Sequence, residues 1–369
     1  MNWEKGIVNL GSWYRLKGVM NQAAAGKGIT VAFIGGSITQ GSLASSPETC
    51  YAYLVYKWWA GHFPCVRYVN AGIGGTTSQF GAARAEEDVL RFQPDVVFVE
   101  FSVNDGCTPH FRETYEGLLR KLYLSGAAVV LLHNVCYDTG SSAEEIHLEL
   151  GRHYDLPCVS IKPTIYRDIT VGKLRGRDIT PDDLHPNDAG HALVASAVIY
   201  LLDQVFEGEA GTEAVFPEPL TANAYENSIR YQNHNSTPQL LGFVPDAQPQ
   251  KHITQMFRRG YTAWNRGDRI VFQIPGTGIA VQYRKSVRQP APIARITVDG
   301  EQSMLLDGNF QETWGDCLYL DTVLAHGEDR LHKVEIEIVE AHENDAVPFY
   351  LVSVIGSKQT DQGPGSLNG

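Results

Sequence analysis

No run of eighteen apolar residues occurs anywhere in this 369-residue chain, so no membrane-spanning helix is expected. Basic residues are in the minority. The 30 Lys and Arg stand against 42 Asp and Glu, a formal net charge of −12, which disfavours nonspecific attachment to nucleic acid or anionic membrane. Cysteine is sparse and scattered: Cys50, Cys65, Cys107, Cys136, Cys158 and Cys317 form no C-x-x-C pair. Most sit in apolar runs, where a free thiol packs as a small hydrophobe, so neither a disulfide framework nor a zinc site is expected. The opening "MNWEKGIVNLGSWYRLKG" lacks a basic start followed by an apolar stretch, the pattern of a secretory signal. The expectation is a cytoplasmic protein. No internal repeat is visible.

What is present suffices for two domains, each with a sizeable core: 43% of residues are hydrophobic and 20% charged. The first part alternates short apolar runs with helical patterns. The runs at 29–34, 66–70, 96–101 and 129–132 are continuous, as in strands buried on both faces of a parallel sheet. Between and after them lie the helix candidates "SPETCYAYLVYKWWA", "TSQFGAARAEEDVLRF", "HFRETYEGLLRKLYL", "AEEIHLELGRHY" and "NDAGHALVASAVIYLLDQVF". Ser46 and Pro47 offer an N-cap and a first helical residue for the first of these. This alternation predicts a three-layer α/β/α domain with a mainly parallel sheet over residues 1–210.

After Phe206 the pattern changes. Residues 211–222 belong to a polar stretch with two prolines and read as a linker. Beyond it, "DRIVFQI", "GIAVQYR", "ARITVDG", "LYLDTVL", "HKVEIEIVE" and "FYLVSVIG" are short period-2 runs separated by turns. They predict a β-sandwich of the jelly-roll kind over residues 223–358. Residues 359–369, "QTDQGPGSLNG", read as a flexible tail.

The chemistry concentrates at strand ends. Open α/β sheets bind ligands at the carboxyl ends of their strands. The first predicted strand runs into Gly35-Gly36-Ser37, and the second into "NAGIGGTTS" with Gly74 and Gly75. The third runs into "EFSVNDG" with Asn104 and Asp105, and "DDLHPNDAGH" near the end of the domain supplies Asp182 and His185. Each group fits one part of acyl transfer. Ser37 supplies a hydroxyl, and His185 a base that works near neutral pH. A carboxylate three residues before the histidine can hold its other nitrogen; Asp182 has that spacing and Asp183 competes less well. The Ser37 and Gly75 backbone N–H groups and the Asn104 amide can bind an oxyanion. Asp105 reads as a structural carboxylate holding the Asn104 loop.

These four blocks resemble the SGNH branch of the GDSL hydrolases. The family's usual Gly-Asp-Ser-(Leu/Ile) stands here as Gly35-Gly36-Ser37-Ile38, and its Gly-x-Asn-Asp as Ser102-Val103-Asn104-Asp105. Gly36 and Ser102 are departures, yet Ser37, Gly75, Asn104 and His185 are all in place. The domain order and "AFIGGSITQG" are also similar to two-domain bacterial mannan acetylesterases of carbohydrate esterase family 17. That resemblance implies a serine esterase with no metal or organic cofactor. It would remove O-acetyl groups from oligosaccharides, manno-oligosaccharides first, with a carbohydrate-binding-module-like sandwich appended and a homo-oligomer open.

Rival motifs fail on detail. A dinucleotide loop counted from Gly72 would need glycine where Thr77 stands, and "AAGKG" lacks the phosphate-loop spacing. "GGSIT" ends in Thr39, unlike the G-x-S-x-G elbow. Asp182, Asp183 and His185 have no second ligand cluster to make a metal site. Trp264 and Trp314, flanked by glycine and polar residues, are the candidate sugar platforms, with core packing as the alternative for each. Of the adjacent Trp58 and Trp59, at least one is expected to pack inside. Three functional alternatives stay open: an esterase for another acetylated sugar such as xylan, a lipid esterase or thioesterase on the same site, and an inactive glycan-binding protein.

Overall fold

The computed structural model describes residues 1–213 and 215–359. It divides into two compact units, one spanning Met1–Ala222 and one beginning at Asn223.

In the first unit the strands are β1 (Ile7–Asn9), β2 (Ile29–Gly35), β3 (Val66–Gly72), β4 (Val96–Glu100), β5 (Ala128–His133) and β6 (Cys158–Ser160). They form one sheet in the order β1-β6-β5-β4-β2-β3. All pairs are parallel except β1 with β6. The helices are α1 (Tyr14–Ala24), α2 (Ser37–Gln40), α3 (Tyr51–His62), α4 (Ser78–Asp88), α5 (Pro109–Leu124), α6 (Glu144–His153), α7 (Arg167–Thr170), α8 (Gly176–Ile179) and α9 (Asp188–Glu207). The chain leaves β2 for β3 on one side and then crosses to β4 on the other. The crevice beside the end of β2 is therefore the topological switch point, where such sheets bind ligands.

Three of the four continuous apolar runs are buried as expected: every residue of β4 and β5 is inside, and β2 is buried but for Thr30. The run at 66–70 is not: β3 is an edge strand of the sheet, Arg67 is exposed and only Val69 of the run is buried. The three-residue strands β1 and β6 are too short to stand out from the sequence. "SPETCYAYLVYKWWA" also breaks differently from the expectation. Ser46 and Pro47 open a separate 3₁₀ turn, Pro47–Thr49, in which Thr49 Oγ1 receives the Ser46 N–H at 3.3 Å. The helix α3 begins only at Tyr51. Trp58 and Trp59 both pack inside.

The stretch read as a linker has definite partners within the first unit. The buried Glu116 carboxylate accepts the Leu220 and Thr221 N–H groups at 2.7 and 2.8 Å. Phe216 stacks on Tyr123 with centroids 4.4 Å apart.

The second unit is antiparallel. Its strands are β7 (Asn227–Tyr231), β8 (Gln239–Leu241), β9 (Val244–Pro245), β10 (Tyr261–Ala263), β11 (Arg269–Gly276), β12 (Gly278–Lys285), β13 (Ile293–Val298), β14 (Gln302–Asp307), β15 (Cys317–Leu324), β16 (Arg330–Glu340) and β17 (Phe349–Lys358). One sheet runs β15-β12-β17-β10-β9, with β7 also paired to β17; the other runs β14-β13-β16-β11-β8. Their inner faces meet in one apolar core that includes Ile270, Phe272, Val281, Ile336 and Leu351. Strand β16 shows the rule: His332, Val334, Ile336 and Ile338 are buried, while Lys333 and the glutamates between are not. The six predicted strands correspond to β11, β12, β13, β15, β16 and β17. The shorter β7 to β10, and β14, gave no period-2 signal long enough to read. Of the predicted tail only Gln359 is described, and it is exposed; residues 360–369 lie outside the described residues.

Candidate active site

Ser37 is the first residue of α2, directly past the end of β2, and is buried to 8% exposure. The two glycines before it are required by space. A Cβ on Gly35 would lie 2.2 Å from Thr39 Oγ1 and 2.4 Å from the Glu100 carbonyl oxygen. A Cβ on Gly36 would lie 2.1 Å from Asn104 Oδ1. The Asp usual at that position in the SGNH pattern has no room here, because the Asn104 side chain lies against the Gly36 backbone.

The imidazole of His185 meets Ser37 across 148 residues of sequence: Nε2 stands 2.8 Å from Ser37 Oγ. Its Nδ1 is 2.6 Å from Asp182 Oδ2. The other carboxylate oxygen of Asp182 accepts the backbone N–H groups of Leu184 at 3.0 Å and His185 at 2.7 Å. One carboxylate thus folds its own turn and orients the ring. Partial burial pushes the Asp182 carboxyl up, but the bonds from His185 and the two N–H groups outweigh it and hold the carboxyl below its ordinary value. Asp183 turns away. It takes a left-handed φ of 64° and its carboxylate pairs with Arg177. The geometry therefore separates the two aspartates as the spacing did.

Gly75 has φ 68°, a conformation that glycine enters without strain, and a Cβ there would meet open space. Its loop is tied to α2 through Gln40 Oε1, which accepts the Gly74 N–H at 2.6 Å. Asn104 lies in the loop after β4, with Oδ1 buried and without a hydrogen-bond partner among the described residues. Asp105 braces this loop. Its carboxylate accepts the Ser78 N–H at the start of α4 at 2.9 Å and faces His147 Nε2 at 3.1 Å. The structure thus brings Ser37, His185 and Asp182 into one hydrogen-bonded relay and sets the Gly75 and Asn104 loops against the Ser37 turn. Among the described residues no group of three or more His, Cys, Asp or Glu is arranged to hold a metal ion.

Three supports escaped the sequence reading. The guanidinium of Arg84, fully buried on α4, donates to the carbonyls of Ala71 at 2.7 Å and Gly35 at 3.1 Å, clamping the ends of β3 and β2. Its partner Asp88 follows one helical turn later. Asp188, at the start of α9, accepts from Ser45 N–H, Ser45 Oγ and Thr49 Oγ1 at 2.6–2.7 Å. His191 reaches the same segment, its Nδ1 accepting the Tyr51 N–H at 3.3 Å. The loop after Ser37 is thereby fastened to the helix after His185.

The GDSL-like lipase/acylhydrolase family matches residues 33–193. A crystal structure of a two-domain esterase active on acetylated mannans superposes with TM-score 0.95 at 56% identity, covering 97% of this chain and 99% of that one. The chain belongs to this family of acylhydrolases. A second crystal structure of a two-domain esterase active on acetylated mannans, co-crystallised with mannopentaose, gives TM-score 0.94 at 56% identity over 97% of this chain and 98% of that one. An acetyl xylan esterase matches at 24% identity and TM-score 0.41 over 47% of this chain and 98% of its own. Comparison with curated sequences gave no match. The family member described here is a carboxylic ester hydrolase.

Proposed function

We propose that this esterase removes O-acetyl groups from manno-oligosaccharides through an acetyl-enzyme on Ser37. The observation that carries the reading is the relay of Asp182, His185 and Ser37, with contacts of 2.6 and 2.8 Å, set beside the Gly75 and Asn104 loops. The 56% identity to an esterase active on acetylated mannans supports the substrate class.

The steps follow from the groups. His185 Nε2 takes the Ser37 proton as Oγ attacks the acetyl carbonyl. Asp182 holds Nδ1–H and balances the imidazolium that forms. The oxyanion accepts from the Ser37 and Gly75 N–H groups and the Asn104 amide. When the tetrahedral intermediate collapses, His185 returns the proton to the departing sugar oxygen. Water then attacks the acetyl-enzyme with His185 again as base, releasing acetate and restoring Ser37. None of these steps calls on a metal or organic cofactor.

The sandwich is read as carbohydrate-binding-like. Trp264 and Trp314 are 49% and 64% exposed, as sugar-facing aromatics would be. Trp314 stands edge-on to Phe310, with ring centroids 5.0 Å apart.

Acetate release from acetylated mannan and acetylated xylan, measured side by side, tests the substrate. Mannan is expected to be the better one, and p-nitrophenyl acetate to be cleaved faster than the octanoate. Preference for xylan would move the assignment to another acetylated sugar, and preference for octanoate to lipid or thioester substrates. Ser37→Ala is expected to lose about 10⁶ in kcat while folding normally. Unchanged turnover would remove Ser37 from the mechanism.

A further inference from the structure

Glu100 ends β4 in register with Gly35 of β2. It is fully buried. Its carbonyl oxygen receives the Gly36 N–H at 3.3 Å, one residue before Ser37. Its side chain points to the other half of the site: Ser102 Oγ stands 3.2 Å from Glu100 Oε1, two residues before Asn104. Glu100 Oε2 has no hydrogen-bond partner among the described residues, and no cation there forms an ion pair with the carboxyl.

The donors around Ser102 can be counted. Ser102 Oγ accepts the Asn134 N–H at 2.7 Å and lies 2.9 Å from the Asn134 carbonyl oxygen. It therefore stitches the end of β4 to the end of β5. A hydroxyl has one proton to give. If Glu100 is ionised, its Oε1 and the Asn134 carbonyl compete for that proton, and the carboxylate has only the nearby Asn134 amide and Ser102 N–H to turn to. If Glu100 is protonated, it donates to Ser102, Ser102 donates to the Asn134 carbonyl, and every contact is made. A buried acceptor left unpaired is costly. Burial, opposed by the Asn134 amide and the Ser102 hydroxyl and reinforced by the Asp105 charge, pushes the Glu100 carboxyl up to about 7.

We propose that Glu100 is a positioning residue for the oxyanion hole, holding the Asn104 loop through Ser102 while it carries a proton and loosening it when ionised. This deepens the reading of Ser37 as nucleophile and rests on it. It also gives a role to Ser102, which stands where the SGNH pattern has glycine. The titratable groups facing Glu100 are Asp105 on the same loop, Tyr51 from α3, Tyr115 from α5 and Tyr137 beyond β5. All three phenols are pushed up by burial and stay neutral. His133, beside Asn134, is pushed down to about 3 by burial and the nearby His147, so it brings no charge. Arg84, which binds the Gly35 carbonyl, pairs with Asp88.

The test is kcat and KM against pH for wild type, Glu100→Gln and Ser102→Gly, with p-nitrophenyl acetate. In wild type kcat is expected to fall about tenfold as pH rises through neutrality, a fraction of the 10²–10³ lost with a whole oxyanion donor, while KM holds. Glu100→Gln, which cannot ionise, is expected to keep the kcat of the acid side and lose the fall. Ser102→Gly is expected to start lower and show no fall. A fall in Glu100→Gln equal to that of wild type overturns the proposal, as does a wild type without one. Should Glu100→Gln not fold, Ser102→Gly decides alone, and a retained fall overturns the proposal. Ser37→Ala run alongside separates the two readings. If it stays active the nucleophile is wrong; if it is inactive while Glu100→Gln keeps the fall, only the role of Glu100 is.

Discussion

The two units bury different things. The first takes charge inside: Arg84, Asp88, Glu100, Asp105 and Glu116 are all buried, close to its strand ends or on the helices that cover them. The second unit buries fewer charges, among them Glu226 and Arg230, and the core between its sheets is lined by Ile270, Phe272, Ile296, Val334, Ile336 and their like. The difference follows from strand direction. In a parallel sheet every strand delivers its carboxyl end to the same edge, so loops far apart in sequence crowd one crevice and their polar groups must satisfy each other. Antiparallel strands deliver their ends alternately to opposite edges, and the shared inner faces need only be apolar. Substitutions among Ser37, His185 and Asp182 in the first unit should therefore act on rate with little effect on stability, and core substitutions in the second should do the reverse.

The sharpest probe of that contrast is Asp182→Asn. The amide oxygen can keep accepting the Leu184 and His185 N–H groups, so the turn survives. The amide nitrogen, however, faces His185 Nδ1 as a donor and favours the wrong tautomer. A loss of about 10⁴ in kcat is expected, with only a small fall in thermal midpoint near neutral pH, a fall that disappears in acid. The wild-type carboxylate contributes modestly to stability as well. Its pKa is lower folded than unfolded, so its contribution is present above the unfolded value near pH 4 and is lost as pH falls through the folded one. A large fall in midpoint at pH 7 would place Asp182 on the side of architecture.

Ile336→Ala probes the other side. Ile336 has 0% exposure on β16, inside the core shared by both sheets. Removing its buried methyl groups is expected to cost about 2–5 kcal/mol of stability, read by denaturant unfolding. The kcat of the folded fraction on p-nitrophenyl acetate should hold. A tenfold loss of kcat at undiminished stability would erase the contrast.

The legible parts of the site share a cause. Asp182 and His185 are three residues apart, so their contact is local and spacing reveals it. Ser37, Gly75 and Asn104 are distant from one another, but each follows an apolar run, and parallel strand ends converge whatever the length of the connections. Arg84 could not be found that way. In "GAARAEED" it looks like one charge among several on a solvated helix face, and only the tertiary structure turns it onto two carbonyls. Glu100 and Ser102 were hidden because a carboxyl at a strand end ordinarily meets water, and nothing local signals its burial. Asp188 was hidden because its partners, Ser45 and Thr49, lie about 140 residues away. In the sandwich the long alternating strands were legible, whereas β8 and β9 are two or three residues long and exposed throughout, with no inward face to mark them.

The smallest effect is expected at Trp314. Its ring is 64% exposed beside Phe310, so removing it leaves no cavity and should leave stability within about 0.5 kcal/mol of wild type. On p-nitrophenyl acetate, which carries no sugar, kcat and KM should both hold. On acetylated manno-oligosaccharides KM should rise about three- to tenfold in Trp314→Ala, from about 0.5–1.5 kcal/mol of lost aromatic contact, with kcat unchanged. Trp314→Phe should recover part of it, because a smaller aromatic face remains. This split matters because it asks a question the core of the sandwich cannot answer. A fold held by apolar inner faces leaves its loops free to carry recognition, and a sugar-dependent KM change would locate some of it at Trp314. Equal KM values on both substrates would leave Trp314 a solvent-facing ring without a part in binding.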